Sequence, residues 1–463
     1  GGLRVPEQRY RIRFLPEGVS VEVDANTSLL NAARNVGIDI MSVCGGEGTC
    51  GKCLVRVLAG RVRQSDRVAI LNPALRAEGY TLACQTFPLE NLTVEVPVES
   101  RLDSTDVVIR HTEVEVPEYE VGLETYQHSP LACRMQLTLR PPTLTENASD
   151  LTRLLAGLRR VTNDARTSHV TNTKGCIFGG TERPIGIALS ALRELPNALR
   201  DGDWKVTVTL VNCCDRWEVT RVTSGHDAQP AYGAAIDVGT TTITVYLVNM
   251  HTGETVQRLA TYNEQFVYGE DVITRIVYAT RNEDGLEHLR RAALRTINQL
   301  LDHAINAMKI SRDDIACAVV AGNTVMTHLL LGIEPKYIRL EPYIPAAVTY
   351  PPIKAREVGI GIHQEGHVFT FPCVASYVGG DIVAGALVSG MGLRSEVGLF
   401  VDIGTNGEMV LGNKDYLVTC ACSAGPAFEG SGITCGMRSV RGAIESVEVN
   451  SSDLQILVKT IGN

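Results

Sequence analysis

Residues 9–24 alternate apolar and polar side chains. Tyr10, Ile12 and Phe14 share one face, Pro16-Glu17-Gly18 turns the chain, and Val19, Val21 and Val23 follow. A period of two around such a turn predicts a β-hairpin. Asn26, Thr27 and Ser28 offer N-caps to a short helix through about Val36, with Gly37 as its stop. A glycine- and cysteine-rich loop spans 44–53, a strand covers Leu54–Leu58, and strand signals continue to about Val96. Two strands, a helix, a loop and further strands fit a β-grasp domain over residues 1–96. Pro97, Pro117 and Pro130 among scattered acids mark 97–131 as a linker. Residues 132–230 mix strand runs (Arg134–Leu139, Lys205–Asn212) with helical ones (Asp150–Leu158, Ile187–Leu195). They read as a middle domain of mixed α/β character with no chemistry of its own.

The texture changes again at Tyr232. Ala234–Val248 reads as a strand, a tight Gly-Thr-Thr turn and a second strand. Residues 284–308 give the clearest helix, with Leu286, Leu289, Ala293, Ile297, Leu300 and Ile305 on one face. Gly398–Leu411 is another strand–turn–strand, and within it Asp237-Val-Gly-Thr240 returns as Asp402-Ile-Gly-Thr405, 165 residues later. A distant repeat of one supersecondary unit predicts two similar subdomains facing each other within 231–463.

Composition narrows the class. The 463 residues suggest two to four domains at ~100–200 residues each. With 44% hydrophobic and 21% charged residues the chain is globular rather than disordered. No run approaches the ~18 consecutive apolar residues of a membrane span, and Gly1-Gly2-Leu3-Arg4 carries no apolar signal core, so a cytoplasmic location is expected. A net charge of −9 argues against a general nucleic-acid binder. Thirteen cysteines without a secretion signal point to metal rather than disulfides.

Four of those cysteines fall within 44–84. Cys44-Gly-Gly-Glu-Gly-Thr-Cys50-Gly-Lys-Cys53 gives C-x5-C-x2-C, and Cys84 follows from a separate element. Four thiolates hold two irons, two per iron. A loop supplying three of them needs glycines that tolerate positive φ and turn amides toward the sulfurs, and Gly45, Gly46, Gly48 and Gly51 supply them. The spacing is one residue wider than that of plant-type ferredoxins and resembles the adrenodoxin-like branch. A zinc site calls for two C-x2-4-C pairs where this loop has one, and unmetallated structural thiols are the remaining alternative. Gly46-x4-Gly51-Lys52 nearly spells a P-loop, but Cys53 stands where Ser or Thr is needed. The loop is best read as the seat of a 2Fe–2S cluster on Cys44, Cys50, Cys53 and Cys84.

The two Asp-x-Gly-Thr hairpins each put an acid at a strand end and small residues in the turn. Glycine removes the Cβ that would block a phosphate, and turn amides with threonine hydroxyls can donate to its oxygens. The acids can hold Mg²⁺, largely through water. One such turn also makes an ordinary hairpin; two at domain-scale spacing favour a phosphate clamp made of Asp237, Gly239, Thr240, Thr241 and Thr242 with Asp402, Gly404, Thr405 and Asn406. The pair resembles the phosphate-1 and phosphate-2 motifs of the acetate and sugar kinase, heat-shock protein and actin superfamily. Asp381, in Tyr377-Val-Gly-Gly-Asp381-Ile, precedes phosphate-2 at about the distance of the sugar-kinase catalytic acid. By that resemblance it is a candidate to orient or deprotonate an attacking water, alongside Asp237 and Asp402; a helix N-cap is the plain alternative. Ala321-Gly-Asn-Thr324 reads as a connecting turn or hinge. Ser423-Ala-Gly-Pro-Ala-Phe-Glu-Gly430, with Gly425 at its centre, can open a helix toward phosphate or serve tight packing.

A 2Fe–2S loop, a linker, a middle domain and an ATPase of this superfamily together resemble the ATP-dependent reductive activators of corrinoid proteins. Tyr268-Gly-Glu-Asp271-Val-Ile, Ser423–Gly430 and Arg438-Ser-Val-Arg-Gly-Ala-Ile444 add to the match. The resemblance implies a multidomain α/β and α+β chain: an N-terminal β-grasp 2Fe–2S ferredoxin-like domain, a linker, a mixed middle domain and an actin-like (ribonuclease H-like) ATPase domain, here expected to be incomplete at its C-terminal end. It also implies an ATP-hydrolysing activator that passes one electron from the cluster to cobalt(II), regenerating cobalt(I) on a separate corrinoid protein. Its cofactors are the 2Fe–2S cluster, ATP and Mg²⁺, and its electrons come from an upstream low-potential donor. A homodimer is left open. The absence of an Asp-x-His-x-x-Gly corrinoid element and of a Gly-x-Gly-x-x-Gly turn in a βαβ setting agrees with corrinoid and primary donor on partner proteins. Two other readings are a small-molecule kinase with a redox-sensing appendage, and a non-enzymatic electron carrier with an actin-like docking domain. Cys213-Cys214 reads as a vicinal pair of structural thiols in a strand. Cys420, Cys422 and Cys435 form an incomplete metal set, and His111, His128, His169 and His226 sit in loop-like contexts.

Overall fold

The computed structural model describes residues 9–38, 40, 42, 44, 46–97, 100, 128–167, 183–423, 444–449 and 455–460. The N-terminal unit pairs β1 (Arg9–Leu15) with β2 (Val19–Asp24), followed by α1 (Leu29–Arg34), β3 (Leu54–Ala59), β4 (Val62–Gln64), α2 (Pro73–Ala77), β5 (Tyr80–Leu82), β6 (Thr86–Pro88) and β7 (Leu92–Glu95). Its five-stranded sheet runs β2-β1-β7-β3-β5, with the two central strands parallel, while β4 and β6 form a side ribbon. This is the expected β-grasp. Ser28 caps α1 by accepting from the Asn31 amide, and Leu29, Leu30, Ala32 and Ala33 bury against Ile12, Phe14, Val55 and Val94.

The second unit is a four-stranded sheet in the order β8-β10-β11-β9, from β8 (Ala132–Thr138), β9 (Ile185–Ile187), β10 (Lys205–Asn212) and β11 (Trp217–Ser224). Helices α3 (Asp150–Thr167) and α4 (Leu189–Asp201) accompany it. Both helices run further than the sequence suggests. α4 starts two residues late because Ile185–Ile187 pair with β11. Cys213 and Cys214 lie in the turn between β10 and β11 rather than in a strand; Cys214 has φ +70 and is exposed, while Cys213 is buried.

The third unit begins with a meander, β12 (Tyr232–Val238), β13 (Thr242–Asn249) and β14 (Thr255–Tyr262). It continues through α5 (Val272–Arg281), α6 (Gly285–Met308), β15 (Ile315–Gly322), α7 (Thr324–Leu331), α8 (Lys336–Arg339), β16 (Ile353–Lys354), α9 (Ala355–Val358) and β17 (His367–Thr370). The sheet order is β14-β13-β12-β15-β17-β16. β12, β15 and β17 are parallel and the outer strands antiparallel, which is the ribonuclease H-like arrangement. α6 seals it with Leu289, Ala293, Ile297 and Leu300, all essentially unexposed, each worth ~1–3 kcal/mol of apolar burial. After α10 (Gly380–Val388) a second meander, β18 (Gly398–Ile403), β19 (Asn406–Gly412) and β20 (Leu417–Ser423), repeats the first. The echo in sequence is thus an echo in structure. A separate hairpin, β21 (Ile444–Val449) with β22 (Ile456–Thr460), completes the described residues. Among them, no helix is long and apolar enough to cross a membrane.

Two glycines set how α10 meets β15. A Cβ on Gly379 would stand 2.3 Å from Asn323 Cα and 2.5 Å from the Gly322 oxygen, both backbone atoms that cannot swing aside. A Cβ on Gly322 would stand 2.7 Å from the Val238 oxygen. Gly379→Ala should therefore lower the thermal stability of the domain that begins at β12 by ~1–3 kcal/mol through overpacking. Gly404→Ala, where the nearest atom would be 3.7 Å away, should leave the unfolding transition near wild type. Equal midpoints for the two variants by calorimetry would contradict the close approach.

Candidate functional site

The cysteine loop is folded around its thiols. Gly46, Gly48 and Gly51 take φ of +96, +73 and +71, and a Cβ at Gly48 would strike Gln85 Cγ at 2.7 Å. Gln85, next to Cys84, donates from Nε2 to the Gly46 carbonyl at 2.7 Å and so ties the loop to the element carrying the fourth cysteine. The thiols meet as two pairs. Cys53 and Cys84 stand 3.3 Å apart inside the domain core, and Cys44 is hydrogen-bonded to Cys50 nearer the surface. In each pair the shared hydrogen bond lowers one thiol and raises the other. The bond from Cys50 draws Cys44 down to about 4, while the same bond and burial push Cys50 up. Cys84 likewise lowers Cys53 and is itself raised. Two thiol pairs, each sharing a proton that a metal would displace, fit a cluster of two irons with two thiolates apiece.

The second centre lies between the two hairpin turns. Thr241 Oγ1 and Thr405 Oγ1 are 3.2 Å apart, one from each meander. The first turn is held from behind on every side. Gly239 N donates to the Thr242 oxygen at 3.0 Å, and a Cβ on Gly239 would lie 2.6 Å from that oxygen. Asn263 donates from Nδ2 to the Gly239 carbonyl (2.9 Å) and from its amide to the Thr241 carbonyl (2.8 Å). Asn323, which caps α7, donates to Thr240 Oγ1 at 3.1 Å. Arg275 of α5, fully buried, donates to the Thr240 carbonyl at 2.6 Å and to Gly269 and Gln265. The second turn closes with Gly404 N donating to the Asn406 carbonyl at 2.9 Å.

Four carboxylates face this gap. Asp237 ends β12, Asp402 and Glu408 sit opposite each other across β18 and β19, and Asp381 lies in the first turn of α10. Gly379, not Asp381, occupies the N-cap; the Asp381 carboxylate accepts from the next amide, Ile382 N, at 2.9 Å. Asp237 is wet at the floor of the cleft yet walled in, and burial with the charges of Asp381 and Asp402 raises it to about 6. Burial, then Asp402, raises Asp381. Burial, then Asp381 and Asp402, raise Glu408 to about 7. No three of the four bring oxygens within 4.8 Å of one another, a spacing that suits a hydrated Mg²⁺ held through water more than a direct cage. Thr242, the first residue of β13, is exposed beside the turn. Gly425 and most of the Ser423–Gly430 motif, like Cys435, His111 and His169, lie outside the described residues.

Sequence reasoning did not single out Glu408, Asn263 or Arg275. Glu408 had a signal: in a hairpin turning at Gly404-Thr405, the sixth residue after Asp402 falls opposite it on the same face. Nothing in the amphipathic pattern of α5 separates a buried arginine from a solvated one. The two centres also touch. Arg34 at the end of α1 lays its guanidinium 4.8 Å from the Tyr268 ring centroid and 5.8 Å from that of Tyr278, and donates to the Val267 carbonyl. Glu47 of the cysteine loop pairs with Arg281 of α5 at 2.6 Å.

Comparison with known proteins matches most of the chain. Residues 12–89 match the 2Fe-2S iron-sulfur cluster binding domain, 123–229 the RACo linker region, 232–394 the RACo middle region, and 396–463 the C-terminal domain of RACo, the ASKHA domain. The corrinoid activation enzyme RamQ of Eubacterium limosum is 33% identical over 226 residues, 49% of this chain and 38% of that protein. The [Co(II) methylated amine-specific corrinoid protein] reductase of Methanosarcina barkeri is 26% identical over 49% of this chain and 42% of its own length. The chain thus spans about two-fifths of the length of these curated relatives. A solved reductive activator for corrinoid, iron-sulfur protein is 43% identical, covers 98% of this chain and 69% of its own, and superposes with a TM-score of 0.64. A ferredoxin domain joined to an actin-like domain, with identity at that level along nearly the full chain, makes this protein a member of the reductive activator family for corrinoid, iron–sulfur proteins.

Proposed function

We propose that the protein reductively activates a corrinoid protein, using ATP to drive one electron onto cobalt(II). The observation that carries this reading is the pairing, in one chain, of a two-by-two thiol site with a cleft in which two Thr-bearing turns and four acids converge. Such a step is uphill from ordinary donors, and each ~59 mV of gap is a factor of ten, or ~1.4 kcal/mol, for one electron. Nucleotide binding and hydrolysis can cover it where nucleotide state changes how the activator holds its partner.

The residues divide the work. Cys44, Cys50, Cys53 and Cys84 would hold a 2Fe–2S cluster, which when bound supplies a one-electron carrier. Gly239, Thr240 and Thr241 face Thr405 and Asn406 as donors for the phosphates of ATP. Asp237, Asp402 and Glu408 would hold Mg²⁺ through water. Asp381, whose proton affinity is raised by burial and then by Asp402, is suited as a carboxylate to orient an attacking water and take its proton, with Glu408 as the second acceptor in reach of the same field. An upstream low-potential donor refills the cluster, and the corrinoid stays on its own protein.

The acids give a pH dependence whose sign is fixed. A carboxyl raised in the folded state favours folding below its ordinary value and loses that contribution as pH climbs through the raised value. Asp237 near 6 and Glu408 near 7 should therefore make the nucleotide- and metal-free protein less stable at pH 8 than at pH 5. Asp237→Asn should flatten part of that slope and lose Mg-ATP binding. Thermal midpoints that track pH identically in wild type and variant would refute the shared field.

The activity itself is tested by mixing the protein with a cobalt(II) corrinoid protein and a reductant and following cobalt(I) absorbance. ATP should make that band appear, and Asp402→Ala should abolish the ATP effect while leaving the iron–sulfur spectrum intact. A cobalt(I) yield indifferent to ATP would overturn the proposal.

A further inference from the structure

One group of metal-binding side chains belongs to neither centre. It lies at the seam where the four-stranded sheet packs on the ATPase sheet, among Ala132, Val211, Ala231, Ala316 and Cys317. Cys213 follows β10, Glu218 lies in β11 and His367 opens β17, and all three are more than nine-tenths buried. Cys213 Sγ is 3.4 Å from His367 Nε2 and 3.9 Å from Glu218 Oε2, and Nε2 is 3.2 Å from Oε2. Among the described residues this is the only trio of such groups whose ligand atoms all lie within 4.8 Å.

We propose that Cys213, Glu218 and His367 form a binding site for a borderline divalent cation of the zinc type, bridging the middle domain and the ATPase domain. Zinc bonds of ~2.3 Å to sulfur and ~2.0–2.2 Å to nitrogen and oxygen place tetrahedral ligands ~3.3–3.6 Å apart, close to the three separations found. The donor set of one thiolate, one imidazole and one carboxylate is that of a borderline ion rather than of Mg²⁺ or Ca²⁺. Glu218 is supported in the manner of a ligand: its other oxygen, Oε1, accepts from Lys354 Nζ at 3.0 Å, and Lys354 is held in turn by the Glu365 carbonyl at 3.0 Å and carboxylate at 3.5 Å. The His367 ring makes its polar contacts through Nε2, the atom facing the other two. Binding would release the Cys213 proton, leaving thiolate and carboxylate to balance the dication, while Lys354 is set against Glu365, which also pairs with Arg356. Without metal the same atoms can form only a thiol–imidazole–carboxylate hydrogen-bond chain.

The test uses the intact chain, isolated without oxygen and carrying its iron. Zinc is added, loosely held metal is stripped on a chelating resin, and zinc and iron are counted per chain by mass spectrometry. One zinc per chain is expected beside the iron. It should fall to background in Cys213→Ser and in His367→Gln with iron unchanged, and persist in Cys214→Ser, whose side chain is exposed. Absence of retained zinc in the wild type, or equal zinc in wild type and Cys213→Ser, would overturn the site.

Discussion

Like charge gathered in one cleft is the constraint on which the ATPase half of this protein turns. The charges acting on Asp237 are those of Asp381 and Asp402, and the same two act on Glu408. Burial first, and this repulsion second, raise the proton affinity of Asp237, Asp381 and Glu408. On the proposed function, a hydrated cation carrying nucleotide phosphates would answer the repulsion, and only where both hairpin turns present their donors at once. The contact between Thr241 and Thr405 therefore matters more than its own hydrogen bond. It marks where two separately folded meanders must agree for the cleft to exist, and binding charge there rewards that agreement.

The first turn is also where the cleft is tied to the rest of the molecule. The Thr240 carbonyl is fixed by Arg275, and Arg275 also fixes Gln265 in the short helical turn 264–268 and Gly269, which closes it. That turn presents Val267 and Tyr268 to Arg34, and Arg281 at the end of the same helix as Arg275 reaches Glu47 in the cysteine loop. A buried guanidinium with no water to fall back on holds its partners firmly. A displacement of the Thr240 turn would thus be felt at the face against which the ferredoxin domain rests. Among the described residues the contacts at that face include two cation–ring approaches, one carbonyl acceptor, an exposed ion pair and the packing of Cys50, a set strong enough to orient a domain and weak enough to release it.

Much of this was legible in the sequence, and the reasons for the gaps are physical. Period-two and period-3.6 patterns announce the N-terminal hairpin, α6 and the first two strands of each meander; β14 and β20, the third strands, go unmarked. The cysteine loop was legible because glycine spacing and thiol spacing constrain each other. The repeated Asp-x-Gly-Thr was legible because the turn tolerates few residues. What stayed hidden depends on partners far away in the chain. Arg275 looks like any helix arginine until β12 and the 264–268 turn close over it. Asp381 read as a candidate catalytic acid with an N-cap as the plain alternative; Gly379 holds the N-cap, at a point where the Gly322-Asn323 backbone leaves no room for a side chain. Cys213 and Cys214 read as one vicinal pair, yet the left-handed backbone at Cys214 sends one outward and leaves the other buried beside a histidine 154 residues away.

The placement of the cysteine loop bears on how the two centres can cooperate. Cys50 packs against the ATPase core, so the more exposed thiol pair, Cys44 with Cys50, lies on the side of the domain that the ATPase half partly covers. An electron leaves most readily through the ligands nearest the surface, since the deep pair, Cys53 and Cys84, is screened by the β-grasp core. In the arrangement described here the exit is therefore turned inward. On the proposed function, delivery to cobalt on another protein would require the Arg34 and Glu47 contacts to open and the ferredoxin domain to turn. The same contacts are the ones that a shift of the Thr240 turn would disturb. Guarding a reduced cluster and releasing it on nucleotide binding would then be two states of one interface, and ATP would act on when the electron is exposed as well as on how far uphill it can go.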